Sequence, residues 1–435
     1  MAYEEKIVIE HKPSVIDSPP SILTENDYEL SDNGFVDVDR SKGCSSFVAF
    51  FNVFCIVAGT GILGLPYALK QGGFISLLIL FLSWLMSTYT ATILIRCLYA
   101  NGKARLSTYK EIATSAFGWF GGWLAFFFNT WILLGVPVLY LVLSGTNINT
   151  LCAGTSAEVG LKPWTIICCV AVGIPFVFIK SMKEAAWMSA LSTITILIVV
   201  VIVFIMCGID SPNHVSVHRD TVIWDMFPIA LSTISFSFGG NVVYTHVEAS
   251  MKKPQDWTKV SVASLSTCAI LYLGVAIAGY IVYGDQVQNP IYFSIPSGAP
   301  QTVIIVLITV HCLATAPILA TSFSLDIEEM FDISVERFGK VKEFLVRAVV
   351  RIATMVVIAI IACFVPHFGA LMSLIGAFAN CTMVFVFPIL FYFRLTGFRN
   401  KPIYEIVWCF FTIVLGIVGL VFGTIEAIKE LRSSY

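Results

Sequence analysis

Hydrophobic positions in this chain run in long, nearly unbroken stretches rather than in the alternating or half-apolar patterns of a soluble fold. Eleven stretches are long enough, as helices, to cross about 30 Å of hydrocarbon. They lie near residues 46–71, 74–99, 119–147, 163–180, 186–208, 225–250, 261–284, 302–325, 346–365, 367–393 and 403–427. The pattern predicts an all-α integral membrane protein with eleven transmembrane helices. Residues 1–44 differ: they carry Glu4, Glu5, Glu25, Asp27, Asp32, Asp37 and Asp39 with Pro19-Pro20 and no hydrophobic core. They are expected to form a disordered cytosolic tail, not a cleaved signal peptide. A transmembrane domain over 45–427 and a short non-cytosolic end over 428–435 complete the expected division.

Two stretches contain their own interruption. The first carries Gly59-Thr60-Gly61-Ile62-Leu63-Gly64-Leu65-Pro66, three glycines and a proline that together lower helix propensity sharply. The sixth carries Ser235-Phe236-Ser237-Phe238-Gly239-Gly240-Asn241. Within hydrocarbon, backbone groups freed by a break are tolerated only where protein buries them or where they line a cavity. Two broken segments at corresponding places in two halves point to inverted repeats, spans 1–5 and 6–10, around a midplane site, with the eleventh span outside them.

Composition sharpens the class. The chain of 435 residues is 57% hydrophobic and 12% charged, with mean hydropathy +0.85, far from a soluble domain. The net charge of −2 says little, because orientation depends on how basic residues divide between connections. Of 26 Lys and Arg residues, only five (Lys70, Lys162, Arg219, Lys429 and Arg432) fall on the side opposite the tail. The bias alternates loop by loop, which places the N terminus in the cytosol. Cysteines such as Cys168, Cys169, Cys312 and Cys381 fall inside spans and read as small apolar residues. The six histidines (His11, His214, His218, His246, His311 and His367) form no cluster of the kind an intramembrane metalloenzyme needs. An enzyme, a metal cofactor and a nucleic-acid partner are therefore not expected, and no charge ring or repeated filter motif suggests a channel.

The broken helices have usable polarity. With the tail inside, the outer half of span 1 starts near Ile62 and aims amides from Thr60 to Leu63 at the midplane, where a carboxylate is stabilised. The inner half ends near Ala58, and the outer half of span 6 ends near Phe236; both would present free carbonyls to an ammonium group or a cation. An α-amino acid carries both charges on one carbon and satisfies both sets. Gly59, Gly61, Gly239 and Gly240 allow close approach to the backbone. Helix-packing glycines and a buried amide are the alternative reading of the same residues.

The first span, the sixth with its continuation Met251-Lys252-Lys253-Pro254, and the seventh with Gly279-Tyr280, Gly284-Asp285, Pro290 and Pro296 resemble the amino acid/auxin permease family. The resemblance covers roughly Ser45 to Ala427. It implies a LeuT-like fold, a 5+5 inverted repeat plus one extra helix, and ion-coupled amino acid transport. Many members place a histidine after the glycine of span 6, where this chain has Asn241.

The candidate substrate-binding residues are thus Ala58, Gly59, Thr60, Gly61, Ile62, Leu63, Phe236, Gly239, Gly240 and Asn241, with Asn241 and Phe236 setting the size and polarity of the side-chain pocket. Asn129 and Tyr140 of span 3 are candidates to line the cavity from the side. His311, midway along span 8, is either a functional ionisable group or a neutral, hydrogen-bonded one. Thr315 is a candidate hydroxyl beside a coupling ion. His246 and Glu248 suggest a solvated or gating role, and Asp326, Glu328 and Glu329 a solvated face. The reading is a secondary active transporter of amino acids, neutral ones favoured, with protons favoured over sodium as coupling ion. A sodium-coupled transporter and a non-transporting receptor with the same pocket remain open. So do symport and antiport. The acidic tail and the lack of a glycosylation sequon in the outer loops favour a vacuolar or endosomal membrane over the plasma membrane.

Overall fold

A computed structural model of the chain describes residues 28–30, 36–38, 40–41, 43–179, 184, 186–333, 335–365, 367–399 and 401–433. Most of the tail lies outside the described residues. The helices, in order, are α1 (Ser46–Val57), α2 (Gly61–Gly72), α3 (Ile75–Leu98), α4 (Tyr109–Leu151), α5 (Leu161–Phe178), α6 (Ala186–Asp210), α7 (Phe227–Ser237) and α8 (Asn241–Ala249). They continue with α9 (Trp257–Tyr283), α10 (Ala299–Met330), α11 (Val335–Phe364), α12 (Phe368–Leu374), α13 (Phe387–Thr396), α14 (Ile403–Val418) and α15 (Thr424–Ser433). A π-helical segment, Ile375–Val386, joins α12 to α13, and a second, Gly419–Gly423, joins α14 to α15.

Among the described residues nine helices are long and apolar enough to cross a membrane, or ten if α1 and α2, bent by 45° from each other, are counted as one span. The stretch expected as the sixth span forms α7 and α8, which are not among these: their 11 and 9 residues are each too short to cross alone. Side chains such as Val170, Val201, Val356 and Phe410 are more than half exposed. A soluble surface would not carry such a density of large apolar groups, whereas hydrocarbon accommodates them. α4 and α11 each begin with a short helical stretch that bends away at a glycine, Gly118 (φ 70°) and Gly339 (φ 72°), before the apolar run starts. Both angles are ones that side-chain-bearing residues rarely adopt.

The two broken spans run antiparallel and are tied to each other at both ends. On the side of the tail, the Cys44 amide donates to the Ser250 carbonyl at 2.7 Å and the Lys252 amide to Cys44 at 2.9 Å. On the far side, the Ile75 amide donates to Thr221 at 3.1 Å and the Ile223 amide to Gly72 at 3.0 Å. The start of the first span thus meets the end of the sixth, and the end of the first meets the approach to the sixth. Gly279 of α9 brings that helix against α2: a Cβ there would lie 2.7 Å from Pro66 Cγ. Pro66 itself sits inside α2 and does not make the break, which falls at Ala58–Thr60.

Arg40, just before the first span, ties the chain to the membrane domain. A short antiparallel pair, β1 (Tyr28–Leu30) with β2 (Val36–Val38), precedes Arg40. Arg40 holds Asp37 at 2.9 Å and Glu248 at 3.1 Å and also donates to the Glu248 and Met251 carbonyls. Glu248 in turn takes Arg105 at 2.6 Å and the Tyr99 hydroxyl. Of the acids expected to be solvated, Glu329 is half-buried, while the other two are buried and paired: Glu328 meets Arg351 at 2.9 Å, and Asp326 meets His246 at 3.3 Å. Each finds its hydrogen-bonding partner on another element, which is what allows a carboxylate to leave water at all. Among the described residues the twelve cysteines are all free thiols.

Removing one partner of such a buried pair strands the other. Glu248→Ala leaves Arg105, 5% exposed, without its carboxylate, at an expected cost of about 3–5 kcal/mol. The check is thermal unfolding of the detergent-purified protein. A clear fall in Tm is expected, and an unchanged Tm would contradict the assigned pairing.

Candidate functional site

α1 ends because Ala58 leaves the helical region, at φ −74° and ψ 46°. The Gly59 amide turns back to the Val57 carbonyl at 2.8 Å. The Ile62 and Leu63 amides then close a tight turn onto the Gly59 and Thr60 carbonyls, at 3.3 and 3.1 Å. This corrects the expectation that all amides from Thr60 to Leu63 are free: those of Ile62 and Leu63 are used by the turn that starts α2. The Gly61 amide, first of α2, finds no acceptor among the described residues. Thr60 is fully buried and its hydroxyl is likewise unpartnered.

α7 ends in the same manner, with the Phe238 and Gly239 amides turning back to the Ser235 and Phe236 carbonyls, both at 3.1 Å. Phe236 is therefore not a free carbonyl either, and two side chains from other spans finish the arrangement. Asn380, on the π-helical segment, donates through Nδ2 to the Phe236 carbonyl at 3.2 Å, while its Oδ1 has no partner. Tyr272 of α9 places one hydroxyl between the Val57 carbonyl of the first break and the Ser237 carbonyl of the second, the latter at 2.7 Å. A hydroxyl has one hydrogen, and the Val57 carbonyl also accepts from the Gly59 amide, so whenever Tyr272 donates to Val57 it is the Ser237 carbonyl that lacks a donor.

The breaks face a cavity of about 20 Å³, room for roughly one water. Admitting anything larger requires side chains to move. Of the expected residues, Gly59, Gly61, Phe236 and Gly239 line it. Ala58, Thr60, Ile62, Leu63, Gly240 and Asn241 do not, because the turns direct them into packing. Asn241 is corrected most clearly: its Nδ2 donates to the Met383 carbonyl at 3.3 Å, away from the pocket. Gly240 faces its own Tyr244 ring. The lining adds apolar side chains, Ile132, Val136 and Leu319, as well as Ser237 and Asn380. Tyr140 also lines it, as expected, its hydroxyl so close to Gly59 that a Cβ there would lie 2.5 Å away. Asn129, in contrast, lies toward the tail and donates to Asp326 at 2.7 Å.

Sequence reading missed Tyr272, Asn380 and Ser192. A lone tyrosine and asparagine in apolar runs carry no spacing signal, and only the fold brings them to the breaks. Ser192, on α6, connects the two residues singled out for ion coupling. Its hydroxyl lies 2.7 Å from His311 Nδ1 and 2.5 Å from the Thr315 hydroxyl. His311 and Thr315 are fully buried, and Thr315 donates back to the His311 carbonyl at 2.8 Å. The other ring nitrogen, Nε2, is unpartnered and points to the first break, 3.7 Å from where a Cβ on Gly59 would be. On the tail side of the cavity, His246 of α8, Asp326 of α10 and Asn129 of α4 form a buried chain of contacts between helices.

The profile of the family described as transmembrane amino acid transporter protein matches residues 42–429. Amino acid transporter AVT1E of Arabidopsis thaliana is 27% identical over 97% of this chain and 80% of its own length. The vesicular inhibitory amino acid transporter of Xenopus tropicalis is 25% identical over 96% and 82%. Among solved structures, the chain is similar in fold to a Na+-coupled sialic acid symporter (TM-score 0.57, 14% identity, 90% of this chain and 91% of the other). It is similar also to Mhp1, a nucleobase-cation-symport-1 family transporter in a closed conformation (TM-score 0.56, 12% identity, 94% and 97%). The match over most of the chain is to membrane transport proteins rather than enzymes, and the chain belongs to the transmembrane amino acid transporter family, the amino acid/auxin permeases.

Proposed function

We propose that this protein is a secondary active transporter that moves neutral α-amino acids by alternating access and couples their movement to protons. The observation that carries the reading is the pair of helix breaks face to face across one cavity, with an unpaired amide on one side and two carbonyls sharing one hydroxyl on the other. The carboxylate would sit at the start of α2, on the Gly61 amide and the positive end of that helix. The ammonium group would take the Ser237 carbonyl, left free when Tyr272 donates to Val57, with Asn380 Oδ1. Ile132, Val136, Leu319 and Phe236 would face the side chain; their apolar surface favours an uncharged one, since a buried unpaired charge is costly.

Counting α7 and α8 as one span gives eleven crossings, and the reciprocal joining of the two broken spans supports a 5+5 inverted repeat with α14 and α15 outside it. The charge bias places the tail in the cytosol. The relative named as vesicular supports an intracellular membrane, vacuolar or endosomal. His311 is the proposed proton carrier, with Ser192 and Thr315 fixing its ring and Nε2 left to exchange a proton at the break. The chain His246–Asp326–Asn129 would close the cytosolic side and part when the cavity opens there.

Two outcomes test this. Gly61→Val would push a branched side chain against Ser237, where a Cβ already lies 2.7 Å from Oγ and 2.9 Å from Cα. Amino acid binding should weaken by at least about tenfold, equivalent to about 1.4 kcal/mol. Gly208→Val, which meets open space, should bind like the unmodified protein; a folded Gly61→Val protein with unaltered binding would remove the breaks from the site. In liposomes, His311→Gln should abolish accumulation driven by a pH gradient while preserving exchange of labelled for unlabelled substrate. Persistence of gradient-driven accumulation would take His311 out of the coupling.

A further inference from the structure

Away from the breaks, α3, α7 and α14 enclose a groove of about 240 Å³ whose lining side chains are all apolar. One wall follows α3 from Ile75, its first residue, to Met86; the others include Trp224, Leu231, Phe411 and Leu415. Eleven residue steps of helix cover about 17 Å, close to the roughly 15 Å of one leaflet's hydrocarbon. The groove therefore runs from the interface opposite the tail down to the middle of the membrane. Trp224 stands at its mouth, 72% exposed, where an indole is favoured at headgroup level. Leu78 and Phe411 are partly exposed along its length, so it opens sideways and is continuous with the lipid-facing surface.

We propose that the groove is a binding site for one acyl chain of a phospholipid in the leaflet opposite the tail. Water is a poor occupant, because the walls offer it no hydrogen bonds. A helix of a second copy does not fit inside it: a helix about 10 Å across and about 17 Å long occupies on the order of 1,300 Å³, several times the volume of the groove. An extended hydrocarbon chain suits both the length and the width, and its contacts replace the dispersion attraction that an unfilled groove forfeits. The site concerns the transport machinery because Leu231 belongs to the same short helix as Phe236 and Ser237, which line the central cavity. A chain seated there supports α7 from behind, on the face opposite the break.

The test uses the full chain in liposomes of phosphatidylcholine carrying a photoactivatable group midway along one acyl chain, with adducts mapped by peptide mass spectrometry. Labelling of Ile79, Leu82 and Leu231 should exceed that of the ordinary lipid-facing residues Val170 and Val356 by about tenfold, the enrichment given by a preference of 1.4 kcal/mol. Leu82→Trp, which fills the groove, should remove that excess, and Ile270→Trp, on the exposed face of α9, should leave it. Uniform labelling of all lipid-facing helices would show annular lipid only and overturn the proposal. So would undiminished groove labelling in Leu82→Trp, or cross-links that join two copies through α3 and α14.

Discussion

Everything in this structure depends on how a backbone broken inside hydrocarbon is satisfied. Each unpaired amide or carbonyl there costs several kcal/mol, so two breaks in one membrane domain require partners from elsewhere. Turns at Gly59–Leu63 and Ser235–Gly239 absorb part of the demand. Asn380 and Tyr272, from spans ten and seven, absorb more. What is left over is small and specific: one amide at the start of α2 and the Ser237 carbonyl whenever Tyr272 donates to Val57. That residue of unmet hydrogen bonding is the chemical basis for recognising a group with a negative and a positive end.

The same logic governs the side of the tail. Arg105 and Glu248 are almost entirely buried, and Arg40 reaches in from the chain before the first span to complete the group. A charge set of this kind contributes little net stability compared with well-packed apolar residues, but it fixes which elements meet. Here it fixes the tail, the end of α3 and the end of α8 together. Next to it, His246 and Asp326 join α8 to α10, so movement of the inner half of the sixth span would have to break a paired, partly desolvated contact.

Much of this was legible in the sequence, and for identifiable reasons. Apolar runs of about 20 residues have one common meaning, and glycine with proline or hydroxyl residues inside them marks a break; Gly59, Gly61, Phe236 and Gly239 line the cavity. The reading failed where function passes from type of residue to direction of side chain. Asn241 reads as a pocket amide because it follows the second break, yet as the first residue of α8 it turns toward the Met383 carbonyl. Ile62 and Leu63 read as free amides because no pattern announces a tight turn. Asp326 and Glu328 read as solvated because the partners that bury them, His246 and Arg351, come from other helices. Tyr272, Asn380 and Ser192 stand alone among apolar neighbours, and only packing reveals their targets.

The most direct measurement is equilibrium binding of a neutral α-amino acid to the purified protein, alongside its N-acetyl and carboxamide derivatives. Each derivative removes one of the two charges and leaves the side chain intact. If the broken helices recognise the zwitterion through the Gly61 amide and the carbonyls under Tyr272, only the parent amino acid binds appreciably. Equal binding of either derivative would mean that the side chain alone is recognised, and would contradict the account.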